Sequence, residues 1–253
     1  MHQFLIEPVF GRDWTLFGHN IAFTNSALWM VATLVALWLF MLGGMKRELV
    51  PGRWQAAVEG FTGFITSMLT SNIGPQGKRF VPYVFSLFMF ILFANILGLL
   101  PFGIVPGVHP FTITSHITVT GVLAIISFAI VLIVGFGKHG FHFFSLFVPH
   151  GTPVLMIPLI FVVELMSFLV RPFSLGLRLF VAMTAGHILL KVLAGFVING
   201  FALGGALGLG LVSFPSMLLM IGITLLELLV AGIQAYVFAL LTSVYLNDAV
   251  NLH

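Results

Sequence analysis

The residues that could do chemistry in this 253-residue chain are few, and they sit in unusual company. Glu164, Arg171, Arg178, His187, Lys191, Glu227 and Gln234 all occur in stretches otherwise dominated by leucine, isoleucine, valine, phenylalanine, alanine and glycine. An imidazole titrates near neutrality, and a carboxylate partly withdrawn from water can be raised towards it, so His187 and Glu227 are candidates for passing protons. A guanidinium stays protonated. Arg178 can therefore hold a fixed positive charge against a titrating carboxylate, but it cannot usefully relay protons itself. Its neighbours are Leu175, Gly176, Leu177, Leu179 and Phe180, with no acidic residue within a turn, so its partner must come from elsewhere. The plainer readings are a snorkelling or loop arginine at 178 and a buried structural hydrogen-bonding pair at 187 and 227.

Spacing adds to this. Glu164, Arg171 and Arg178 are each seven residues apart, which on a helix returns them to nearly one face at about 10 Å per step. Pro172 can bend that stripe. Gln234 follows Glu227 by seven residues and shares its face, while Ala231, Gly232 and Ala235 leave room for a close helix neighbour.

Such groups need elements to hold them, and composition says what those elements are. Sixty per cent of the residues are hydrophobic and 7% charged, and the mean hydropathy is +1.17. No soluble surface can be made from that supply, so the bilayer is the solvent. Zero cysteines exclude disulfides and thiol chemistry. The net charge of +3 is uninformative until the charges are placed. The segment 1–25, with Glu7, Arg12 and Asp13 among apolar residues, is unlike a signal peptide and reads as mature sequence.

The pattern predicts an all-α polytopic membrane protein forming a single membrane domain. Residues 26–43 form a first span, ending at Gly43-Gly44 and followed by Lys46, Arg47 and Arg53. Over 52–70, Trp54, Val58, Phe61, Ile65 and Met68 recur at helical spacing with polar residues between them, which suits an amphipathic helix lying in the interface. Residues 80–100 and 114–136 are further spans, separated by a Gly103–Pro110 turn. The connections after the first and third spans are basic and that after the second has no Lys or Arg, so the basic ones face the cytoplasm or matrix and the N-terminus faces the opposite side.

The segments 152–201 and 214–247 are too long for one perpendicular crossing. For the first of them, two accounts are open. In one, Pro153–Val170 and Leu179–Phe201 span, with a loop at Arg171–Arg178. In the other, a long tilted helix keeps those charges at membrane depth. The second fits better, because the loop would put both arginines on the outer side, against the positive-inside tendency. A pair of tilted antiparallel helices, joined by the glycine-rich turn Gly204–Gly210, then accounts for both lengths. No internal repeat is visible between the halves, which weakens an inverted-repeat transporter reading.

Two apparent motifs carry little. Gly74-Pro-Gln-Gly-Lys-Arg79 lacks the spacing and terminal Ser or Thr of a phosphate loop, so this chain is not expected to bind ATP. His139, His142 and His150 lack metal-ligand spacing and read as surface histidines. No metal and no cofactor are expected.

Leu175-Gly-Leu-Arg-Leu-Phe180, Ala185-Gly-His187, Glu227 and Gln234-Ala-Tyr-Val-Phe238 together resemble the signature of subunit a of F-type ATP synthases. The resemblance continues in Asn95-Ile-Leu-Gly-Leu-Leu-Pro101, Gly151-Thr-Pro153 and Tyr245-Leu-Asn-Asp248, and so covers most of the chain. Histidine first and acid second is the form similar to mitochondrial and alphaproteobacterial members. Val181-Ala-Met183 departs from many relatives, which carry an asparagine after the Leu-Arg-Leu-Phe region.

What this resemblance implies is a proton-translocating stator subunit without a catalytic site of its own. It would provide two offset aqueous half-channels to and from the carboxylates of a rotating c-subunit ring, with Arg178 as the essential ring-facing arginine. His187 and Glu227 match positions of the proton uptake path, Gln234 matches a glutamine near the arginine, and Glu164 falls on the release side. The implied partners are the c-ring, peripheral-stalk subunit b, the other synthase subunits, lipid and protons, and no nucleic acid. The implied location is an energy-transducing inner membrane, bacterial or mitochondrial, with the N-terminus on the periplasmic or intermembrane side. Two other readings remain to be tested against it: a self-contained proton-coupled transporter or channel, which would work as a purified chain, and a structural scaffold, which would tolerate alanine at Arg178, His187 and Glu227.

Overall fold

The structure is a computed structural model describing residues 8–10, 15–16, 19–20, 23–45, 51–100, 112–147, 156–205 and 207–251. The Gly103–Pro110 turn, the Gly151–Pro153 motif, His150, Lys46, Arg47, Glu7, Arg12 and Asp13 lie outside the described residues.

Near the N-terminus, four very short strands pair as nested antiparallel ribbons. β1 (Pro8–Phe10) pairs with β4 (Phe23–Thr24), and β2 (Thr15–Leu16) pairs with β3 (His19–Asn20). Every element described after them is a helix. α1 (Asn25–Gly44) begins where the Thr24 hydroxyl accepts a hydrogen bond from the Ala27 N–H at 3.4 Å, satisfying one of the free donors of a helix start. α2 (Arg53–Ile73) turns Val58, Ile65, Met68, Leu69 and Ile73 inward. It stops at Gly74, whose φ of 85° is open to glycine and costly for other residues. A 3₁₀ turn, Pro75–Phe80, leads into α3 (Val81–Leu99). A second 3₁₀ turn, Ile113–Ser115, precedes α4 (Ile117–His139), and Gly140–Phe147 continues from α4 as 3₁₀ helix.

The last two helices are long. α5 (Ile157–Leu203) has 47 residues, roughly 70 Å at the α-helical rise. It is helical throughout Arg171–Arg178, with Pro172 inside it, which removes the account in which those residues form a loop. Gly204 and Gly205, at φ 62° and 66°, reverse the chain, a π-helical stretch covers Leu207–Ser213, and α6 (Phe214–Val250) follows. Among the described residues five helical stretches are long and apolar enough to cross a membrane: Asn25–Gly44, Pro75–Leu99, Ile117–Phe147, Ile157–Leu203 and Gly208–Val250. The chain is an all-α polytopic membrane protein.

Two units can be distinguished. The first comprises Met1–Thr33, Ile91–His116 and Leu179–Gln234; the second comprises Leu34–Phe90, Ile117–Arg178 and Ala235–His253. Polar side chains organise the first. Asn95, fully buried, donates to the Ala231 carbonyl at 3.2 Å and accepts from the Thr114 hydroxyl at 2.7 Å, so one amide joins α3, α6 and the turn before α4.

Aromatic packing organises the second unit. Phe143, Phe147 and Phe168 meet edge to face, with centroids 5.4 to 6.4 Å apart, and Phe128 and Phe136 extend the cluster. Polar ties fasten its edges: Tyr83 to Ser127 at 2.8 Å, Asn72 to Ser243 at 2.6 Å, and Lys138 to the Val250 carbonyl at 2.9 Å.

Gly135 marks the closest approach in that cluster, since a Cβ there would overlap the Phe143 ring, itself 1% exposed. Gly135→Val should therefore displace Phe143 and destabilise the unit by about 1–3 kcal/mol. A lower thermal midpoint, or a lower level of the chain in membranes, should register this, and Gly137→Val, with open space around its Cβ position, is the matched control.

Candidate functional site

The polar residues fall into two clusters, one within each unit. In the first unit, α5 supplies His187 and Lys191 and α6 supplies Glu227 and Gln234. Glu227 is 5% exposed, and its carboxylate occupies the space that a side chain at Gly186 would fill, directly beside His187 in the sequence. The glycine is what allows a carboxylate from one helix to rest on the backbone of the other. Oε2 of Glu227 is buried without a hydrogen-bond partner among the described residues.

His187 is held from another direction. Its Nε2 lies 2.7 Å from the hydroxyl of Thr112, which also reaches the Gly98 carbonyl at 3.4 Å. Ser115 donates to the Thr112 carbonyl and Thr184 donates to the Ser115 carbonyl, so the turn preceding α4 is fastened to α5 as well as to α3. The structure thus brings His187 and Glu227 to one region of α5. Gln234, one helical stretch further along α6, is half-buried.

In the second unit, Glu164 and Arg171 come together in a cavity of about 390 Å³ that they line with Asp248, Ser145, Phe147 and Phe168. Arg171 forms an ion pair with Asp248 at 2.6 Å, and its guanidinium lies over the rings of Phe168 and Tyr245, with centroid distances of 5.6 and 5.2 Å. Rings on two sides and a carboxylate on a third immobilise this cation. Arg178 belongs to the same unit but differs in kind. It is exposed, and no hydrogen bond or ion pair holds it among the described residues.

Three participants were not singled out for a role from the sequence. Asp248 was visible only within the Tyr245–Asp248 motif and Asn95 only within the Asn95–Pro101 motif. Thr112 had a weak signal, the run of hydroxyl residues Thr112, Thr114 and Ser115 just before an apolar stretch. Of the discounted histidines, His139 bonds through its ring to the Val250 carbonyl at 3.1 Å.

A polytopic membrane protein with a buried carboxylate and a half-buried histidine in one unit, and an exposed arginine on an apolar helix, belongs to the ion-handling class. The family described as ATP synthase A chain matches residues 26–247 of the chain. Among curated relatives, "ATP synthase subunit a" of Rhizorhabdus wittichii is 76% identical over 253 residues, covering 100% of this chain and 96% of the relative. The proteins of that same name from Sphingopyxis alaskensis and Zymomonas mobilis are 70% and 58% identical, over 100% of this chain and 96% and 97% of their own lengths. The chain belongs to the ATP synthase A chain family, the subunit a family of F-type ATP synthases.

The ion pair in the second cavity supports a stability prediction. Asp248→Asn should leave the Arg171 charge, about a quarter exposed, with a weaker partner, at a cost on the order of 1–2 kcal/mol. A double-mutant cycle with Arg171→Gln, read from thermal midpoints of the solubilised complex, should show that loss of the second partner costs less once the first is gone.

Proposed function

We propose that this chain is the proton-translocating stator subunit of an ATP synthase, and that Arg178 is the fixed charge facing the carboxylates of a rotating ring of small subunits. The observation that carries this reading is the state of Arg178 itself: a permanent cation within a 47-residue apolar helix, exposed and without a partner among the described residues. A charge at membrane depth costs several kcal/mol unless it is paired or hydrated. A carboxylate on an adjoining subunit supplies what this chain does not. At contact distance and an effective dielectric of about 20, the attraction is on the order of 4 kcal/mol before desolvation. That is ample to deprotonate an arriving carboxylic acid. The same fixed charge opposes a proton passing straight from one aqueous half-channel to the other.

His187 and Glu227 fit the uptake half-channel, because Glu227 of α6 packs against Gly186, the residue before His187 on α5. Gln234, on the Glu227 face of α6, is suited to hydrogen-bond near the ring interface. The cavity holding Glu164, Arg171 and Asp248 fits the release side. It lies at the end of α6 that Lys138 and His139 fasten at Val250, and Lys138 belongs to a basic connection that the positive-inside tendency assigns to the cytoplasmic face. On this reading the N-terminus is periplasmic, the partners are the ring, peripheral-stalk subunit b and the other synthase subunits, and nucleotide is bound elsewhere in the complex.

Arg178→Ala should abolish ATP-driven acidification of membrane vesicles and raise their passive proton uptake, with assembly checked in parallel. Arg178→Lys should also fail, because an ammonium lacks the planar fork and loses its proton more readily when desolvated. Normal pumping by a fully assembled Arg178→Ala complex would overturn the mechanism.

Glu227→Gln, which keeps the shape and removes the titration, should assemble normally and slow proton-driven synthesis at least tenfold, within the range lost with a positioned acid or base. An unchanged rate across pH in assembled complexes would remove Glu227 from the path.

A further inference from the structure

The polar cluster of the first unit contains a feature that the uptake path as stated does not use. The Thr112 hydroxyl, in a residue only 6% exposed, sits between two groups, Nε2 of His187 at 2.7 Å and the backbone carbonyl of Gly98 at 3.4 Å. A hydroxyl has one proton to donate and lone pairs with which to accept. Towards a neutral ring with its proton on Nδ1, Thr112 donates to Nε2. Towards a ring protonated at Nε2, the N–H donates to Oγ1 and the hydroxyl proton turns to the Gly98 carbonyl. That carbonyl is available because Gly98 lies in the last turn of α3, where carbonyls lose their intrahelical partners.

Both arrangements use atoms already in place. The approach depends on Gly98, since a Cβ there would lie 2.5 Å from the Thr112 Oγ1 and 2.6 Å from its Cγ2. The backbone of Thr112 is fixed too, through the Ser115 hydroxyl on its carbonyl, the Thr184 hydroxyl on the Ser115 carbonyl, and the Asn95 bridge to Thr114. A hydroxyl free to rotate on an immobilised backbone is what these bonds produce.

We propose that Thr112 is a positioning residue for His187, a hydroxyl switch that keeps the imidazole in one place in both of its protonation states by alternating between donation to Nε2 and donation to the Gly98 carbonyl. The inference rests on His187 belonging to the uptake path. Lys191, on the same helix, acts electrostatically on the imidazole, Glu227 of α6 packs against Gly186 beside it, and His116 stands in the turn before α4 that Thr184 fastens to α5, while the described part of α3 in this unit, residues 91–100, carries no titratable side chain. His116 lies outside the spanning stretches, and burial holds its imidazole below the usual histidine value, so it adds no cation near neutrality.

The test uses the assembled ATP synthase in membrane vesicles, with pH profiles of proton-driven synthesis for Thr112→Val, Thr112→Ser and His187→Ala. Valine keeps the shape of threonine and removes the hydroxyl. Loss of one hydrogen bond to the relay predicts about a tenfold lower rate for Thr112→Val. The charged ring loses the stronger bond, so the acidic limb of the profile should also move to lower pH, and Thr112→Ser should restore most of the rate and the position of that limb. A packing defect would instead scale the profile down equally at every pH, with serine no better than valine, and that result would overturn the proposal. So would a normal rate and an unshifted profile for assembled Thr112→Val. If Thr112→Val does not assemble, Gly98→Ala answers the same question by pushing the hydroxyl off its carbonyl, and an unshifted profile there is equally fatal. Normal synthesis by His187→Ala defeats the underlying reading of the uptake path, whereas impaired His187→Ala beside unaffected Thr112→Val defeats only the switch.

Discussion

The cost of keeping ionised groups away from water governs how this chain is built. A helix solves that problem for the backbone by bonding its internal N–H and C=O groups to itself, and the six helices of the described residues do so apart from the bond that Pro172 of α5, lacking an N–H, cannot make. Side chains have no such general solution, so each ionisable group in the apolar segments needs its own arrangement. Arg171 receives a carboxylate and two aromatic faces. Glu227 is laid against the backbone at Gly186. Arg178 has no ion pair or hydrogen bond among the described residues, and the proposed role of its charge draws on that asymmetry between two arginines seven residues apart on one helix.

The two units meet the constraint by different means. In the second, aromatic rings pack around Phe143 and Phe168, and polar residues sit at the margin of that cluster, where Arg171 and Glu164 line a cavity. In the first, amide and hydroxyl side chains take over the role that apolar packing has elsewhere. Asn95, Thr112, Thr114, Ser115 and Thr184 form bonds that join helices through side chains that are never charged. Neutral donors and acceptors of this kind can be buried completely when satisfied. They also leave rotating hydroxyls beside a titratable ring, which a purely apolar core could not offer.

Much of this was legible in the sequence, and the reason is physical. Charges in hydrocarbon are rare enough that Arg178, His187 and Glu227 stand out by composition alone, and apolar runs of spanning length identify helices without any tertiary information. Choosing one long helix over a loop at Arg171–Arg178 required only the positive-inside tendency, and α5 is continuous there. What could not be read were pairings across long separations. Thr112 and His187 are 75 residues apart, Arg171 and Asp248 are 77 apart, and Asn95 and Ala231 are 136 apart. Helix packing sets these contacts, and one chain's periodicity does not encode which helices become neighbours. The ribbons formed by β1 to β4 were equally invisible, because strands of two or three residues are too short to carry an alternating pattern.

The distribution of satisfied and unsatisfied groups also bears on whether such a chain can work alone. A self-contained channel or transporter pairs its intramembrane charges internally in at least one state, since otherwise the resting protein would carry their desolvation cost without return. Here the internal pairing is selective. Among the described residues the Arg171–Asp248 pair is closed, while Glu227 keeps an unbonded carboxylate oxygen and the guanidinium of Arg178 is exposed without an ion pair. A carboxylic acid can exist without charge. A guanidinium has no such recourse, because it cannot be neutralised at any pH a membrane experiences. On the proposed reading its charge is met by an anion from outside the described residues, and for coupling that anion must also be able to leave. A titrating carboxylate carried past on a moving neighbour meets both requirements. A fixed carboxylate within the same chain would meet only the first and would turn the arginine into another structural pair.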